Sequence, residues 1–294
     1  MSSKITFRLP PPSGFLDEPR WDGEKFILEN FSTPVLEYSE NFEGWSDDLT
    51  TLHEDAAGDS HPIDKASRTT ALNSIENLDQ PTGSVILEVG CSSGYLIKEL
   101  VERFPNSNIV GADVVKAPLF ELARAFPGIP LIRFDLLNCP LPEKTFDAII
   151  MLNVLEHIED DLLALKNVRN LLKPGGYLIL EVPAGPRLYD RYDEELRHFR
   201  RYSSTNLIEK LQLTGFKVVN QSHLGFLLFP FFALVKFINK FKASSNTSST
   251  VQTQASQTSN SHLIDLIMKF ELKFLSKITL PFGIRVLAVA RRPE

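Results

Sequence analysis

Cysteine, tryptophan and methionine are scarce in this chain: two, two and three among 294 residues. Cys91 and Cys139 cannot build a disulfide framework, and neither stands in a C-x-x-C spacing that would mark a metal or redox site. An excess of positive charge is also missing. Lysine and arginine number 31 against 37 aspartate and glutamate, a formal net charge of -6, so no global basic field attracts a polyanion and a nucleic acid partner is not expected. No apolar run reaches the ~20 residues that a bilayer span requires. The conspicuous one, Leu224–Val235 (LGFLLFPFFALV), is broken by Pro230 and followed by Lys236, Lys240 and Lys242. That pattern suits a buried cap, a lid or a shallow membrane contact over 224–242. Residues Met1–Arg20 carry charges and prolines where an export signal needs an apolar stretch, so a cytoplasmic protein, with membrane association at most peripheral, is expected. No internal repeat is present.

What the chain does have is 43% hydrophobic residues, enough for one large core. Residues 1–62 are rich in proline, aromatic and acidic side chains without sustained periodicity and read as an irregular N-terminal arm. From Lys65 to Leu78 a helical pattern runs into the turn Asp79-Gln80-Pro81-Thr82-Gly83. Beyond it strand-like runs alternate with helical ones. Ser84–Val89, Asn108–Ala112, Leu131–Phe134, Phe146–Leu152 and Tyr177–Val182 read as strands, with helices over Tyr95–Phe104, Pro118–Phe126 and Asp160–Leu172. This rhythm predicts a parallel sheet covered by helices on both faces. A helix over Ser204–Thr214, with N-cap hydroxyls before it and Gly215 after it, precedes the final strands Phe216–Asn220 and Arg285–Ala290. Between those strands lies an insertion, 223–282: the apolar segment, a Ser/Thr-rich tract over 244–261 too polar to order itself, and an amphipathic helix Leu263–Leu275. The core domain is thus expected over 63–222 and is completed by the last strand, 283–294.

The chemistry gathers at strand ends. Glu88-Val89-Gly90-Cys91-Ser92-Ser93-Gly94 turns directly from strand to helix, and glycines there let the backbone approach a ligand closely. Asp113 ends the second strand about 20 residues on, where an acceptor for ribose hydroxyls is expected. Asp135 closes the third strand and Asn153 the fourth. Open α/β sheets bind their ligands at these carboxyl ends.

The segments ILEVGCSSG, IVGADVV, RFDLLNCPLPEKTFDAIIMLNVLEHIED, LLKPGGYLILEVP and HFRRYSSTNLIEKLQLTGFKVV together resemble the class I S-adenosylmethionine-dependent methyltransferases, from about Arg68 to Arg291. The resemblance implies a Rossmann-like, doubly wound α/β fold with a mostly parallel seven-stranded sheet, an antiparallel last strand and the helical insertion between the last two. It implies S-adenosyl-L-methionine as cofactor: Glu88, Gly90, Cys91 and Gly94 at its methionyl part, Asp113 with Val114 at the ribose, Asp135 with Leu136 at the adenine, Asn153 on the methionine side. Arg68 is placed like the basic residue that some members send to the cofactor carboxylate. Cys91 itself reads as a packing residue rather than a nucleophile.

His157, just past the fourth strand, is the first candidate for a base toward an acceptor hydroxyl, with a structural imidazole as the plainer reading. His198 and its neighbours Arg200, Arg201 and Tyr202 follow the fifth strand, either near the acceptor or as a solvated charge run. The scheme requires no metal, and no ligand cluster is evident. The acceptor is expected to be a small or lipid-linked molecule, methylated on oxygen. Two other readings stand beside this one. Gly90-Cys91-Ser92-Ser93-Gly94 also fits G-x-S-x-G, the nucleophile elbow of α/β-hydrolases with Ser92 as nucleophile, although no HGGG-like segment precedes it. A module that binds the cofactor without catalysis would keep the same residues. A dinucleotide oxidoreductase is weaker, because the loop lacks full G-x-G-x-x-G spacing.

Overall fold

Strand Val85–Val89 is buried along its whole length, as a strand must be when helices cover both faces of a parallel sheet. A computed structural model of the chain describes residues 3–39, 58–78, 82–241, 261–275 and 277–294. In chain order the N-terminal strands are β1 (Arg20–Trp21), β2 (Phe26–Leu28), β3 (Phe31–Thr33) and β4 (Val35–Glu37). Then come α1 (Pro62–Glu76), β5 (Val85–Val89), α2 (Tyr95–Arg103), β6 (Asn108–Asp113), α3 (Ala117–Ala125), β7 (Leu131–Arg133), β8 (Phe146–Leu152), α4 (Asp161–Leu171) and β9 (Leu172–Pro183). The chain continues through α5 (Arg191–Glu195), α6 (Ser204–Leu213), β10 (Lys217–Leu224), α7 (Phe229–Phe241), α8 (His262–Phe274) and β11 (Arg285–Arg291).

The main sheet has the order β10-β11-β9-β8-β5-β6-β7-β4. Every pair from β9 to β4 is parallel, and β11 runs antiparallel to both its neighbours. Side chains of period two split between the two cores. Val85, Leu87, Val89, Ile149 and Met151 face one cluster with α4 and α6, while Ile86, Ala148 and Ile150 face the other with α1, α2 and α3. The chain reverses strand order between β5 and β8, which opens the crevice at the carboxyl ends of these strands.

The seven expected strands are all present, and the N-terminal arm adds an eighth. β4 pairs in parallel with β7, Val35 opposite Leu131, while β1, β2 and β3 form a separate meander that buries Phe26 and Leu28 against the main core. The arm is therefore not irregular as read. Its strands are two or three residues long, too short for an alternating pattern to register.

In the insertion, α7 and α8 each have an inward and an outward face. Leu228, just before α7, and Phe232 of α7 pack with Ile264, Met268 and Leu272 of α8 against Ile63 and Ala66 of α1. Buried Glu271 fixes this packing by accepting hydrogen bonds from the backbone N–H groups of Gly225 at 2.7 Å and Leu227 at 3.0 Å. The Ser/Thr-rich tract lies almost entirely outside the described residues. No helix among the described residues is long and apolar enough to cross a membrane.

Candidate cofactor and acceptor site

At the end of β5 the backbone must turn sharply. Gly90 has φ +80°, and a Cβ there would stand 2.3 Å from Val154 Cγ2. Gly94, at φ +77°, would meet Leu122 Cδ1 at 2.2 Å. Both positions exclude a side chain on two grounds, the left-handed dihedral and the close approach. Gly94 closes the turn after Gly90. It turns the chain into α2.

The turn also presents N–H groups, and Asp113 at the tip of β6 collects them. Its Oδ2 accepts from Ser92 N at 2.8 Å, and its Oδ1 from Val114 N at 2.7 Å and Val115 N at 3.2 Å. Ser92 thus orients an acid and sits at φ 43° to do so. Asp113 also lines the crevice, where a carboxylate can accept from ribose hydroxyls. Glu88 lies next to it, buried, and its Oε2 has no hydrogen-bond partner among the described residues. Burial and the neighbouring Asp113 carboxylate hold the Glu88 carboxyl well above the usual range. An orphaned buried oxygen is costly, and an ammonium or hydroxyl of a ligand seated here would satisfy it. The same burial and acids push up the Cys91 thiol, which packs rather than reacts.

Asp135 makes the local turn that a strand-end aspartate often makes: Oδ1 accepts from Leu137 N at 2.9 Å and Oδ2 from the Asn138 amide at 2.8 Å. It still lines the crevice beside Leu136 and Val114. Asn153 is held at φ 54° by its N–H to Glu181 O. Arg68 reaches the crevice wall from α1, but Glu99 Oε1 at 2.8 Å and Asp59 Oδ1 at 2.7 Å already hold its guanidinium.

One continuous cavity of about 900 Å³ joins this region to His157 and His198. The charge run after β9 is not a solvated face. Arg201 Nε lies 2.8 Å from buried Asp193, Tyr202 Oη donates to Asp161 at 2.9 Å, and Arg200 pairs with Asp161 at 2.7 Å. Phe199 N bonds Glu156 O at 2.8 Å, drawing the loop onto the turn after β8. His198 therefore stands beside His157, ring centroids 4.6 Å apart, with Nδ1 2.9 Å from Asp193 Oδ1. Burial lowers the His198 pKa despite the Asp193 carboxylate. Lys236, which a buried cap or a membrane contact over 224–242 could each place differently, is 1% exposed. Its Nζ lies 2.5 Å from Asp190 and 3.2 Å from Asp193, which ties α7 over the loop.

Sequence reading missed Glu156, Asp193 and Arg285. Glu156 is fully buried, and neither carboxylate oxygen has a hydrogen-bond partner among the described residues; burial raises its pKa to about 8. Arg285 at the start of β11 joins Asp64 of α1 to Glu181 of β9 at the cavity wall. Only the Leu-Glu-His run hinted at Glu156, and nothing local marked Arg285, whose partners lie 104 and 221 residues away.

A family model described as a methyltransferase domain matches residues 63–221. The chain is a class I S-adenosylmethionine-dependent methyltransferase by family. The Ser92 hydrolase reading falls with that match. A Mycolicibacterium smegmatis protein named as an S-adenosylmethionine-dependent methyltransferase is 27% identical over 141 residues, 46% of this chain and 53% of that protein. The Mus musculus protein named tRNA methyltransferase 9B is 33% identical over 122 residues, 40% of this chain and 26% of that protein. The chain thus spans about half of the first of these relatives and a quarter of the second. Among solved structures, the 4+2 cyclase SpnF superposes with a TM-score of 0.55 at 18% identity, covering 83% of this chain and 91% of that one; the likeness is one of fold. The residues that face the crevice at Glu88, Asp113, Asp135 and Asn153 fit the cofactor of this family.

Proposed function

We propose that this chain transfers the methyl group of S-adenosylmethionine to an oxygen of an acceptor bearing an apolar tail, taken up at a lipid surface. The observation that carries the reading is the two-faced insertion. Leu228, Phe232 and Ile264 wall the acceptor end of the cavity, Phe231 and Leu263 stand at its rim, 69% and 65% exposed, and Phe237 and Leu266 lie outside it at 59% and 65% exposure. A contiguous apolar surface of that kind marks an interaction site. Exposed Lys269, Lys273 and Lys277 accompany it on α8 and beyond, the mixture that favours an anionic headgroup boundary. The cofactor, when bound, supplies an electrophilic methyl group on a sulfonium.

The chain's own residues then have three tasks. Glu88, Gly90 and Asp113 seat the adenosyl and methionyl parts. α7 and α8 exclude water and align the tail, and alignment of this sort supplies on the order of 7–11 kcal/mol of barrier lowering. His157 and His198 stand at the polar end of the acceptor chamber, where a hydroxyl proton would be removed.

The test is a radiolabelled methyl-transfer assay on hydroxylated acceptors presented with and without a prenyl or acyl tail, with transfer RNA included, alongside sedimentation with vesicles of phosphatidylcholine and phosphatidylglycerol. Turnover confined to tailed acceptors, and vesicle binding lost in Phe237→Ser with Leu266→Ser, is expected. Equal turnover on tail-less acceptors, or turnover on transfer RNA alone, would overturn the acceptor reading. Cofactor binding with no turnover on any acceptor would favour a module that binds without methylating; SpnF, named as a cyclase, has the same fold.

A further inference from the structure

We propose that Glu156, His157 and His198 bind a divalent first-row transition-metal ion at the acceptor end of the cavity. Each offers one donor atom, and the three donors lie within 4.8 Å of one another. Donors around one ion at ~2.1 Å stand about 3.4 Å apart in tetrahedral geometry, so small side-chain rotations close the set. Proximity alone would not make a site. The second observation is Glu156 itself: 0% exposed, at the cavity wall, with both oxygens unpartnered among the described residues. A buried carboxyl group left without partners is costly, and a bound cation reduces that cost.

The surroundings match a cation. Asp193 Oδ1 engages His198 Nδ1 at 2.9 Å, which leaves Nε2 as the donor for an ion. A carboxylate behind a ligating imidazole fixes its tautomer and orientation in metal sites. The nearby cations are already committed: Arg201 and Lys236 to Asp190 and Asp193, Arg285 to Asp64 and Glu181. Four carboxylates thus face three cations before Glu156 is counted. Two imidazoles and one carboxylate select a borderline metal such as Zn²⁺, Fe²⁺ or Co²⁺ over Mg²⁺ or Ca²⁺. Three protein donors leave positions open toward the cavity. There an acceptor hydroxyl would coordinate, and its pKa would fall. That catalytic use rests on the acceptor reading above; the binding of the ion does not.

The experiment uses untagged full-length protein, stripped with a chelator and titrated with Co²⁺ while visible absorption is recorded, with no acceptor present. One Co²⁺ per chain is expected, with intense bands of low-coordinate nitrogen and oxygen ligation, displaced by one equivalent of Zn²⁺. Glu156→Gln and the less disruptive His157→Ala should each weaken binding tenfold or more, while the affinity for S-adenosylhomocysteine and the melting temperature stay close to wild type. Absence of stoichiometric Co²⁺ and Zn²⁺ binding, or wild-type affinity in both variants, overturns the proposal. Loss of ion binding with cofactor binding intact removes the metal site alone, whereas an ion-binding protein that ignores the cofactor would instead sink the methyltransferase reading.

Discussion

Lys236→Met tests how the insertion is held over the acceptor chamber. The lysine is buried, with Nζ 2.5 Å from Asp190, 3.2 Å from Asp193 and 4.7 Å from the Tyr192 ring centroid. Methionine retains most of the stem and its packing but leaves two buried carboxylates short of a cation. Removing one partner of a buried pair costs about 3–5 kcal/mol. Asp193 keeps Arg201 and His198, and Asp190 still accepts from Tyr192 N at 3.1 Å, so the lower end, about 3 kcal/mol, is expected. For a chain of this size that corresponds to a fall in Tm of roughly 6–10 °C. Asp190→Asn should cost less, and the double variant should be more stable than the sum of the single effects predicts by about 1 kcal/mol or more. Urea unfolding of the four proteins measures the cycle. A Tm within 2 °C of wild type, or additive effects, would refute the view that this ion pair clamps α7 onto the loop carrying His198.

Other consequences concern the cofactor turn and the fold. Gly90→Ala brings a Cβ to 2.3 Å from Val154 at φ +80°, a strain of at least ~1–2 kcal/mol, and should weaken S-adenosylhomocysteine tenfold or more by calorimetry. Gly83→Ala, also at positive φ but with nothing within 4 Å, should lose stability and leave that affinity unchanged. Asp161 is held below the usual carboxylate range by Lys210, Arg200 and Tyr202, which outweigh its burial. Its folded pKa lies below its unfolded one, so its stabilisation is complete above about pH 4 and is lost as the pH falls further. The Tm gap between wild type and Asp161→Asn should therefore stay constant from pH 7 to about pH 5 and narrow below pH 4; a gap that closes near pH 6 would contradict this assignment.

The sheet and the cofactor half of the site were legible because their signals are local. Val85–Val89 and Phe146–Leu152 are runs long enough to show a buried strand, and Glu88, Asp113, Asp135 and Asn153 fall at strand ends where order along the chain already implies convergence. The acceptor half was not legible in this way. His157 and His198 are separated in sequence, and their meeting depends on Phe199 N bonding Glu156 O and on an Asp193 pairing that no periodicity encodes. Lys236 could read as a cap or a boundary residue because hydropathy shows a charge after an apolar run, while its two buried partners sit 46 and 43 residues earlier. The arm's strands escaped notice because β4 is defined by pairing with β7 rather than by any pattern of its own.

The most direct test of the whole account is calorimetric titration of S-adenosylmethionine into wild-type protein and Asp113→Ala. Asp113 is buried and oriented by the N–H groups of Ser92, Val114 and Val115. Loss of two charge-assisted hydrogen bonds at about 1.5–3 kcal/mol each predicts one site per wild-type chain and an affinity reduced by 100-fold or more in the variant. No binding to the wild type at millimolar cofactor, or a variant affinity within threefold of it, would contradict the account.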